Sequence, residues 1–209
     1  MPTAFTLYGN RESGNVYKVA LTLRLLGQRF DYRHVDLFAG ATRTPAFWAI
    51  NPMGEVPVLI HGRETLTQTT AILTALADRF GRFGGRDETE RRRVLEWLCF
   101  ETGRPSNGVA LARFARKFQK ADDEVIAYLQ ARGRAGLDTL ERCLTGPFLV
   151  GEAPTVADLG ACAYLMLADE AGLDICGWPK VEAWLGRIRA LPGFVAQYDL
   201  LPGGDREGV

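Results

Sequence analysis

The stretch that decides the fold covers residues 7–23 and reads L-Y-G-N-R-E-S-G-N-V-Y-K-V-A-L-T-L. The apolar run at its start stops at Gly9, a polar loop follows, and an apolar pattern at helical spacing begins at Val16. This pattern predicts a strand that leads into a helix. Serine and asparagine are favoured helix caps, so capping is one explanation for S-G-N at the turn. The other is that the start of the helix holds an anion, because its first N–H groups are unpaired and carry partial positive charge.

Apolar spacing predicts elements along the rest of the chain. The expected strands are 4–8, 30–37, 56–60 and a short segment near 65–66, and the expected helices are 15–26, a short one from Pro45, and 69–80. A Gly-rich break at 81–87 separates this β-α-β-α-β-β-α part from one with helical periodicity only. The later helices are expected at about 87–118, 122–144, 155–171 and 179–190, with Pro105 interrupting the first of them. We therefore expect a mixed α/β domain over 1–80 and an all-helical domain over 87–209.

The composition of the chain limits the classes of protein to consider. Of its 209 residues, 47% are hydrophobic and 24% are charged, close to the average of globular proteins, so a sizeable core is expected. The 25 basic and 25 acidic residues cancel, which argues against nucleic acid as the main partner because phosphate binding needs a basic excess. No apolar run approaches the length of a membrane span, and the start, M-P-T-A-F-T-L-Y-G, lacks the features of a signal peptide. We expect no membrane association and a cytoplasmic location.

The four cysteines indicate a structural role. Cys99, Cys143, Cys162 and Cys176 include no C-x-x-C pair, and the chain has only two histidines, so a zinc site is poorly supported and we expect no metal. All four lie in the expected helical domain, mostly on apolar stretches. They are expected to be small core residues in a reducing compartment.

Four stretches occur in an order that carries a family resemblance. They are S-G-N-x-Y-K-V at 13–19, N-P-M-G-E-V-P-V-L at 51–59, Q-T-T-A-I-L at 68–73 and T-V-A-D at 155–158. Together with the order of elements they resemble the cytosolic glutathione S-transferases over nearly the whole chain, and the start resembles bacterial members that use a hydroxyl residue instead of a cysteine. The resemblance implies a thioredoxin-like N-terminal domain that binds glutathione as co-substrate. It also implies an all-helical C-terminal domain that binds a small electrophile, and a homodimer.

On this resemblance, the thiolate of glutathione would be held at the start of the first helix. Ser13 matches the catalytic hydroxyl and Asn15 a second polar contact, while Tyr8 is a rival because some classes use a tyrosine near the first strand. A free thiol has a pKa of about 8.5, so thiolate at neutral pH requires a drop of roughly two units, or about 2.7 kcal/mol. The helix end supplies ~0.3–2 kcal/mol and a hydrogen bond to a charged group about 1.5–3 kcal/mol. One hydroxyl is therefore about sufficient without a protein base.

The resemblance also implies where the rest of glutathione binds. It places a cis proline at Pro57, so that the backbone of Val56 can pair with an extended peptide. Gln68 and Thr69 would hold the γ-glutamyl end, where the usual pair is Glu-Ser. Thr69 keeps a hydroxyl and the helix start for the carboxylate, whereas Gln68 lacks the charge that would pair with the ammonium. From the pattern alone, Gln68–Thr69 is equally a capped helix start, and T-V-A-D is a capping box that marks the fold.

The second substrate is the least transferable part of the resemblance. Phe100, Arg104 and Phe114 are candidates for its pocket, and Tyr8 is a further candidate contact of this substrate. The stretch E-T-G-R-P-S-N at 101–107 departs from the expected pattern. The leading hypothesis is an enzyme in which glutathione attacks a small electrophile. One alternative is glutathione-dependent disulfide or peroxide reduction, which would run through glutathione itself because the first domain has no cysteine. The other is a catalytically silent, transferase-like binding module.

Overall fold

A computed structural model describes residues 5–209 of the chain, apart from the side chain of Ser106. This part of the chain divides into two compact units. The first comprises the residues up to Phe80 together with Pro192–Val209, and the second is Gly81–Leu191. The predicted break at 81–87 coincides with the start of the second unit.

The first unit is built on a four-stranded sheet in the order β2-β1-β3-β4. Its strands are β1 (Phe5–Gly9), β2 (Phe30–His34), β3 (Val58–His61) and β4 (Glu64–Thr67), and its first helices are α1 (Gly14–Leu25), α2 (Pro45–Trp48) and α3 (Thr69–Phe80), with a 3-10 helix at Ala41–Arg43. β1 is parallel to β2 and antiparallel to β3, and β3 is antiparallel to β4. The predicted β-α-β-α-β-β-α order and the thioredoxin-like fold class are confirmed. Residue 4, at the start of the first predicted strand, lies outside the described residues.

Two strands are shorter than predicted, for local reasons. β2 ends at His34 and not at 37, because the Asp36 carboxylate accepts hydrogen bonds, both of 3.0 Å, from the backbone N–H groups two and three residues further on. Such a bond turns the chain. β3 begins at Val58 and not at 56, because Pro57 has no N–H to donate to a ladder. Residues 56 and 57 therefore lie outside the sheet.

The second unit contains helices and no strand in the part of it that the structure describes. Its helices are α4 (Glu88–Gly103), α5 (Pro105–Phe114), α6 (Asp123–Cys143), α7 (Val156–Leu165) and α8 (Pro179–Arg189), with a π-helix at Ala115–Gln119 and a 3-10 helix at Ile175–Gly177. The helical C-terminal domain is confirmed, and so is the interruption at Pro105, which is the first residue of α5. α7 ends at Leu165 and not at 171, because hydrogen bonds between residues three apart replace the helical ones there. Between residues 5 and 209, no helix combines the length and the apolar character that a membrane span requires.

The C-terminal segment Pro192–Val209 belongs to the first unit, which corrects the predicted helical domain of 87–209. It carries a short helix, α9 (Gln197–Leu200), that lies against α1. Further on, Arg206 exchanges two backbone hydrogen bonds with Tyr32 of β2, at 2.6 and 3.0 Å. The segment thus covers the β2 edge of the sheet, and its hydrogen bonds fix it to the first unit.

The start of α7 is fixed by a buried carboxylate. Asp158 Oδ2 accepts hydrogen bonds from N and Oγ1 of Thr155, at 2.8 and 2.9 Å, and Oδ1 accepts from Leu149 N and Trp184 Nε1, both at 2.8 Å. The capping box predicted from T-V-A-D is therefore confirmed. Desolvation raises the pKa of Asp158, and the hydrogen bonds that it accepts act in the opposite direction. One side chain thus joins a loop, α7 and α8.

Candidate functional site

The turn between β1 and α1 is held close to the sheet. A Cβ atom at Gly9 would lie 2.4 Å from Val16 Cγ1, so only glycine allows α1 to approach the end of β1 this closely. Asn10 is 3% exposed; its Nδ2 donates to Val35 O and its Oδ1 accepts from Glu12 N, both at 3.0 Å. These contacts fix the polar loop to the end of β2 and set the direction in which α1 begins.

Ser13 is the N-cap residue of α1. Its Oγ accepts a hydrogen bond from Val16 N at 3.3 Å, and its backbone N donates to Asn10 O at 2.9 Å. The capping interpretation of S-G-N is therefore confirmed. A hydroxyl has one proton to donate in addition to its lone pairs, and the Ser13 proton has no acceptor among the described residues. The side chain is half-buried, so this proton is available to a ligand at the helix start.

The other two residues predicted to hold the thiolate lie on the same two elements. Asn15 is the second residue of α1 and half-buried, and its side chain makes no hydrogen bond within the described part of the chain. Tyr8 is in β1, directly opposite Val58 of β3. Its ring packs with Val56 against an apolar cluster around Val58, and its hydroxyl has no hydrogen bond to any described residue. The structure therefore gives Tyr8 a packing role beside the predicted peptide-binding edge.

The predicted peptide-binding edge lies just before β3. The Val56–Pro57 peptide bond is cis, as the resemblance implies. Val56 is half-buried in the apolar cluster, and no backbone–backbone hydrogen bond involves it in the described chain. The turn before it is fixed by Asn51, which is 1% exposed and donates from Nδ2 to Glu55 O at 2.8 Å. The N–H and C=O of Val56 are thus free to pair with an extended peptide.

The start of α3 lies next to the turn before Val56, where Gln68 contacts Glu55. Thr69 is its first residue, half-buried, and no side chain of the described chain caps the first-turn N–H groups of this helix. The pattern for a capped helix start is therefore not fulfilled there, and these N–H groups are available to an anion. Gln68 lies just before it with φ of 65°, and its Nε2 donates to Glu55 Oε2 at 2.8 Å. Sequence reasoning missed Glu55, although it stands within the motif next to Val56.

Phe100, Arg104 and Phe114, which were predicted for the second-substrate pocket, all lie in the second unit, and the backbone N of Arg104 donates to Phe100 O at 2.9 Å. Phe100 of α4 lines a cavity of about 620 Å³, where its ring meets Trp97 edge-on with 5.5 Å between the ring centroids. Neither Arg104 nor Phe114 is among the residues that line this cavity. Arg104 is exposed between α4 and α5, and Phe114 is 42% exposed at the end of α5, where it packs against Phe118.

Comparisons with known proteins identify the family. Residues 3–78 match the model of the glutathione S-transferase N-terminal domain and residues 109–187 that of the glutathione S-transferase C-terminal domain. The chain is 32% identical over 210 residues to the maleylacetoacetate isomerase of Rhizobium meliloti strain 1021, which covers 93% of this chain and 95% of that protein. It is 29% identical over 186 residues to the disulfide-bond oxidoreductase YfcG of Escherichia coli strain K12, covering 82% and 85%.

A solved structure agrees with this assignment. The crystal structure of a glutathione S-transferase from Pseudomonas fluorescens Pf-5 superposes with a TM-score of 0.89 at 36% sequence identity, covering 94% of this chain and 100% of that one. Both family domains are present, in the order in which the two units begin along the chain. The chain therefore belongs to the glutathione S-transferase family.

Proposed function

We propose that this protein is a glutathione transferase that stabilises the thiolate of glutathione for attack on a small electrophile. The observation that carries the proposal is the half-buried Ser13 hydroxyl. It caps a helix of 12 residues with its oxygen and keeps its proton for a ligand. Asn15 on the first turn is a second donor or a positioning contact. Family membership makes glutathione the ligand to expect.

The energetics of the turn are about sufficient for thiolate formation at neutral pH. A drop of roughly two units in the thiol pKa corresponds to about 2.7 kcal/mol. The start of α1 contributes ~0.3–2 kcal/mol and a hydrogen bond from Ser13 to the charged sulfur about 1.5–3 kcal/mol. The chemistry is then positioning of the sulfur and stabilisation of its charge, and no protein base is required.

The rest of glutathione would extend from the sulfur to the start of α3. Its cysteinyl backbone pairs with the free N–H and C=O of Val56, and its γ-glutamyl carboxylate meets Thr69 and the uncapped N–H groups of α3. Gln68 stands at the γ-glutamyl ammonium. Contacts of the electrophile with Tyr8, Phe100, Arg104 and Phe114 stay predictions, and so does the homodimer that the resemblance implies. The cytoplasmic location stays a prediction from the sequence.

The proposal is tested by binding and turnover together. Calorimetry should detect glutathione binding at millimolar ligand, and a panel of aryl halides, epoxides and isothiocyanates should include at least one compound that the protein conjugates. Absence of glutathione binding would refute the proposal. A tight isotherm without turnover over the whole panel would instead favour the silent binding module.

A second candidate is glutathione-dependent disulfide reduction, favoured by the similarity to a disulfide-bond oxidoreductase. The first unit has no cysteine, so two glutathione molecules would be oxidised to glutathione disulfide while the substrate disulfide is reduced to two thiols. The prediction that the cysteines are small core residues is wrong for three of them: Cys99, Cys143 and Cys176 are exposed, and Cys162 is buried. Cys176 is poorly suited to the reaction, because Asp174 raises the pKa of its thiol. Turnover of a model disulfide that exceeds conjugation of every electrophile in the panel would favour this candidate.

A further inference from the structure

The turn before β3 holds a carboxylate beside the start of α3. Glu55 Oε2 accepts a hydrogen bond from Gln68 Nε2 at 2.8 Å, and Met53 Sδ lies 3.2 Å from the same nitrogen. Glu55 and Gln68 are both exposed. Among the described residues, no Lys or Arg forms an ion pair with Glu55. The carboxylate is thus held in place by an uncharged amide, and its charge is not neutralised by a neighbouring cation.

Gln68 is arranged to join this carboxylate to the start of α3. Its φ of 65° lies in the left-handed region that residues other than glycine rarely adopt, and such conformations persist where the surroundings fix them. Its carbonyl O accepts from Ile72 N at 3.0 Å, while its side-chain Nε2 donates to Glu55. Because Nε2 is the donor in that bond, the amide Oε1 is free to accept another.

We propose that Glu55 supplies the negative charge that binds the γ-glutamyl ammonium of glutathione, in place of a carboxylate at position 68. The inference rests on the proposed function, since it concerns the same ligand. An ammonium has three donors and no acceptor, which matches the Glu55 carboxylate and the free Oε1 of Gln68. The neighbouring carboxylate of the ligand needs donors, and the uncapped first turn of α3 offers them. The site thus offers hydrogen-bond acceptors for the ammonium of the γ-glutamyl residue and, next to them, hydrogen-bond donors for its carboxylate.

The expected size of the effect follows from the exposure of Glu55. Two unit charges attract weakly in water and more strongly near a protein surface, and exposed pairs lie at the weak end of the range. Loss of the Glu55 charge should therefore weaken glutathione binding by roughly three- to tenfold in Kd. The affinity for a ligand that lacks the ammonium should not change.

The test compares two ligands by calorimetry. One is glutathione, and the other is its analogue in which hydrogen replaces the α-amino group of the γ-glutamyl residue. Glu55→Gln removes the charge, retains the shape and leaves an amide oxygen for Gln68; it should weaken glutathione by roughly three- to tenfold and the analogue by less than about twofold. Asp78→Asn removes an equal charge from the exposed side of α3, ~15 Å along the helix from Gln68, and should change neither ligand.

A reciprocal exchange completes the test. The Glu55→Gln/Gln68→Glu double variant keeps one amide and one carboxylate side by side, so it should restore glutathione affinity to within about twofold of the wild type. Three outcomes would each overturn the assignment of Glu55. In the first, Glu55→Gln weakens the binding of both ligands equally, and in the second it weakens neither. In the third, the double variant does not restore glutathione affinity. Absence of glutathione binding in the wild-type protein would overturn the proposed function itself.

Discussion

Replacing Ser13 by alanine should separate its observed role as a cap from its proposed role at the thiolate, because the cap uses the oxygen of the hydroxyl and the proposed contact would use its proton. The oxygen accepts from Val16 N at 3.3 Å, longer than the usual 2.9–3.0 Å, so the lost cap should cost only about 0.5–1 kcal/mol in the free energy of unfolding. The proton would donate to a charged sulfur, a bond of about 1.5–3 kcal/mol. Its loss should raise the pKa of the bound thiol by roughly one to two units, because one unit corresponds to ~1.36 kcal/mol.

The assay is the ultraviolet absorbance of the thiolate of bound glutathione, titrated with pH at saturating ligand. Asn15→Ala and Tyr8→Phe are the comparison variants, since both side chains lie on the same two elements and neither makes a hydrogen bond within the described chain. Their titrations should move less than that of Ser13→Ala. Glutathione affinity should change modestly in all three, because most contacts of the proposed mode lie at Val56 and Thr69. Urea denaturation of each variant reports the capping contribution separately.

The outcomes distinguish the three candidates for the thiolate partner. A titration that moves only in Tyr8→Phe would transfer the role to Tyr8, and one that moves only in Asn15→Ala would leave Ser13 as a cap. If none of the three variants shifts the titration, the turn is structural. The proposal that the Ser13 proton donates to the thiolate is then refuted. The catalytically silent binding module becomes the favoured alternative.

Three further predictions concern the cysteines and the packing within each unit. Replacing all four cysteines by Ala should leave glutathione-dependent turnover largely intact in a protein that still folds, and a single cysteine change that abolishes turnover without loss of fold would contradict this. Asp158→Ala should lower the free energy of unfolding, measured in urea, by about 3–5 kcal/mol, because it leaves four buried or half-buried donors without an acceptor. A loss under ~1 kcal/mol would contradict the stabilising role of this hydrogen-bond network. Gly9→Ala should lower the free energy of unfolding by about 1–3 kcal/mol in the same assay, because the new methyl group would overlap Val16. The double variant Gly9→Ala/Val16→Ala should recover part of this loss. An unchanged urea midpoint in Gly9→Ala would refute the close approach of α1 to β1.

The elements that sequence predicted well are those with local chemical signals. Pro105 cannot continue a helix but suits the start of one, and it opens α5. The T-V-A-D capping box contains both of its partners within four residues, and the start predicted at 155 is the N-cap of α7, one residue before its first helical residue. The end of β2 was not, because an aspartate that turns the chain, Asp36, sits inside an alternating apolar pattern that favours a longer strand.

Contacts between segments that are distant in sequence could not be predicted in this way, because no local motif marks them. The C-terminal segment joins the first unit through backbone bonds such as those between Arg206 and Tyr32, and backbone groups are the same in every residue. Glu55 reaches Gln68 across 13 positions, and the contact depends on the left-handed backbone of Gln68, which a sequence pattern does not specify. The motif at 51–59 thus predicted a peptide-binding edge from its V-P pair, whereas the contact between Glu55 and Gln68 is visible only in the structure.

Capping and thiolate binding are not competing explanations for S-G-N, because they use different parts of one hydroxyl. An N-cap serine accepts from a backbone N–H, which orients its oxygen toward the helix and fixes the side chain. The proton then has no place within the helix, and it is available to whatever lies at the helix start. The same first-turn N–H groups that favour a serine oxygen also favour an anion. In the proposed mechanism, a cap that orients the hydroxyl would therefore also prepare the donor for a thiolate, and Gly9 would contribute because it lets α1 begin against the end of β1.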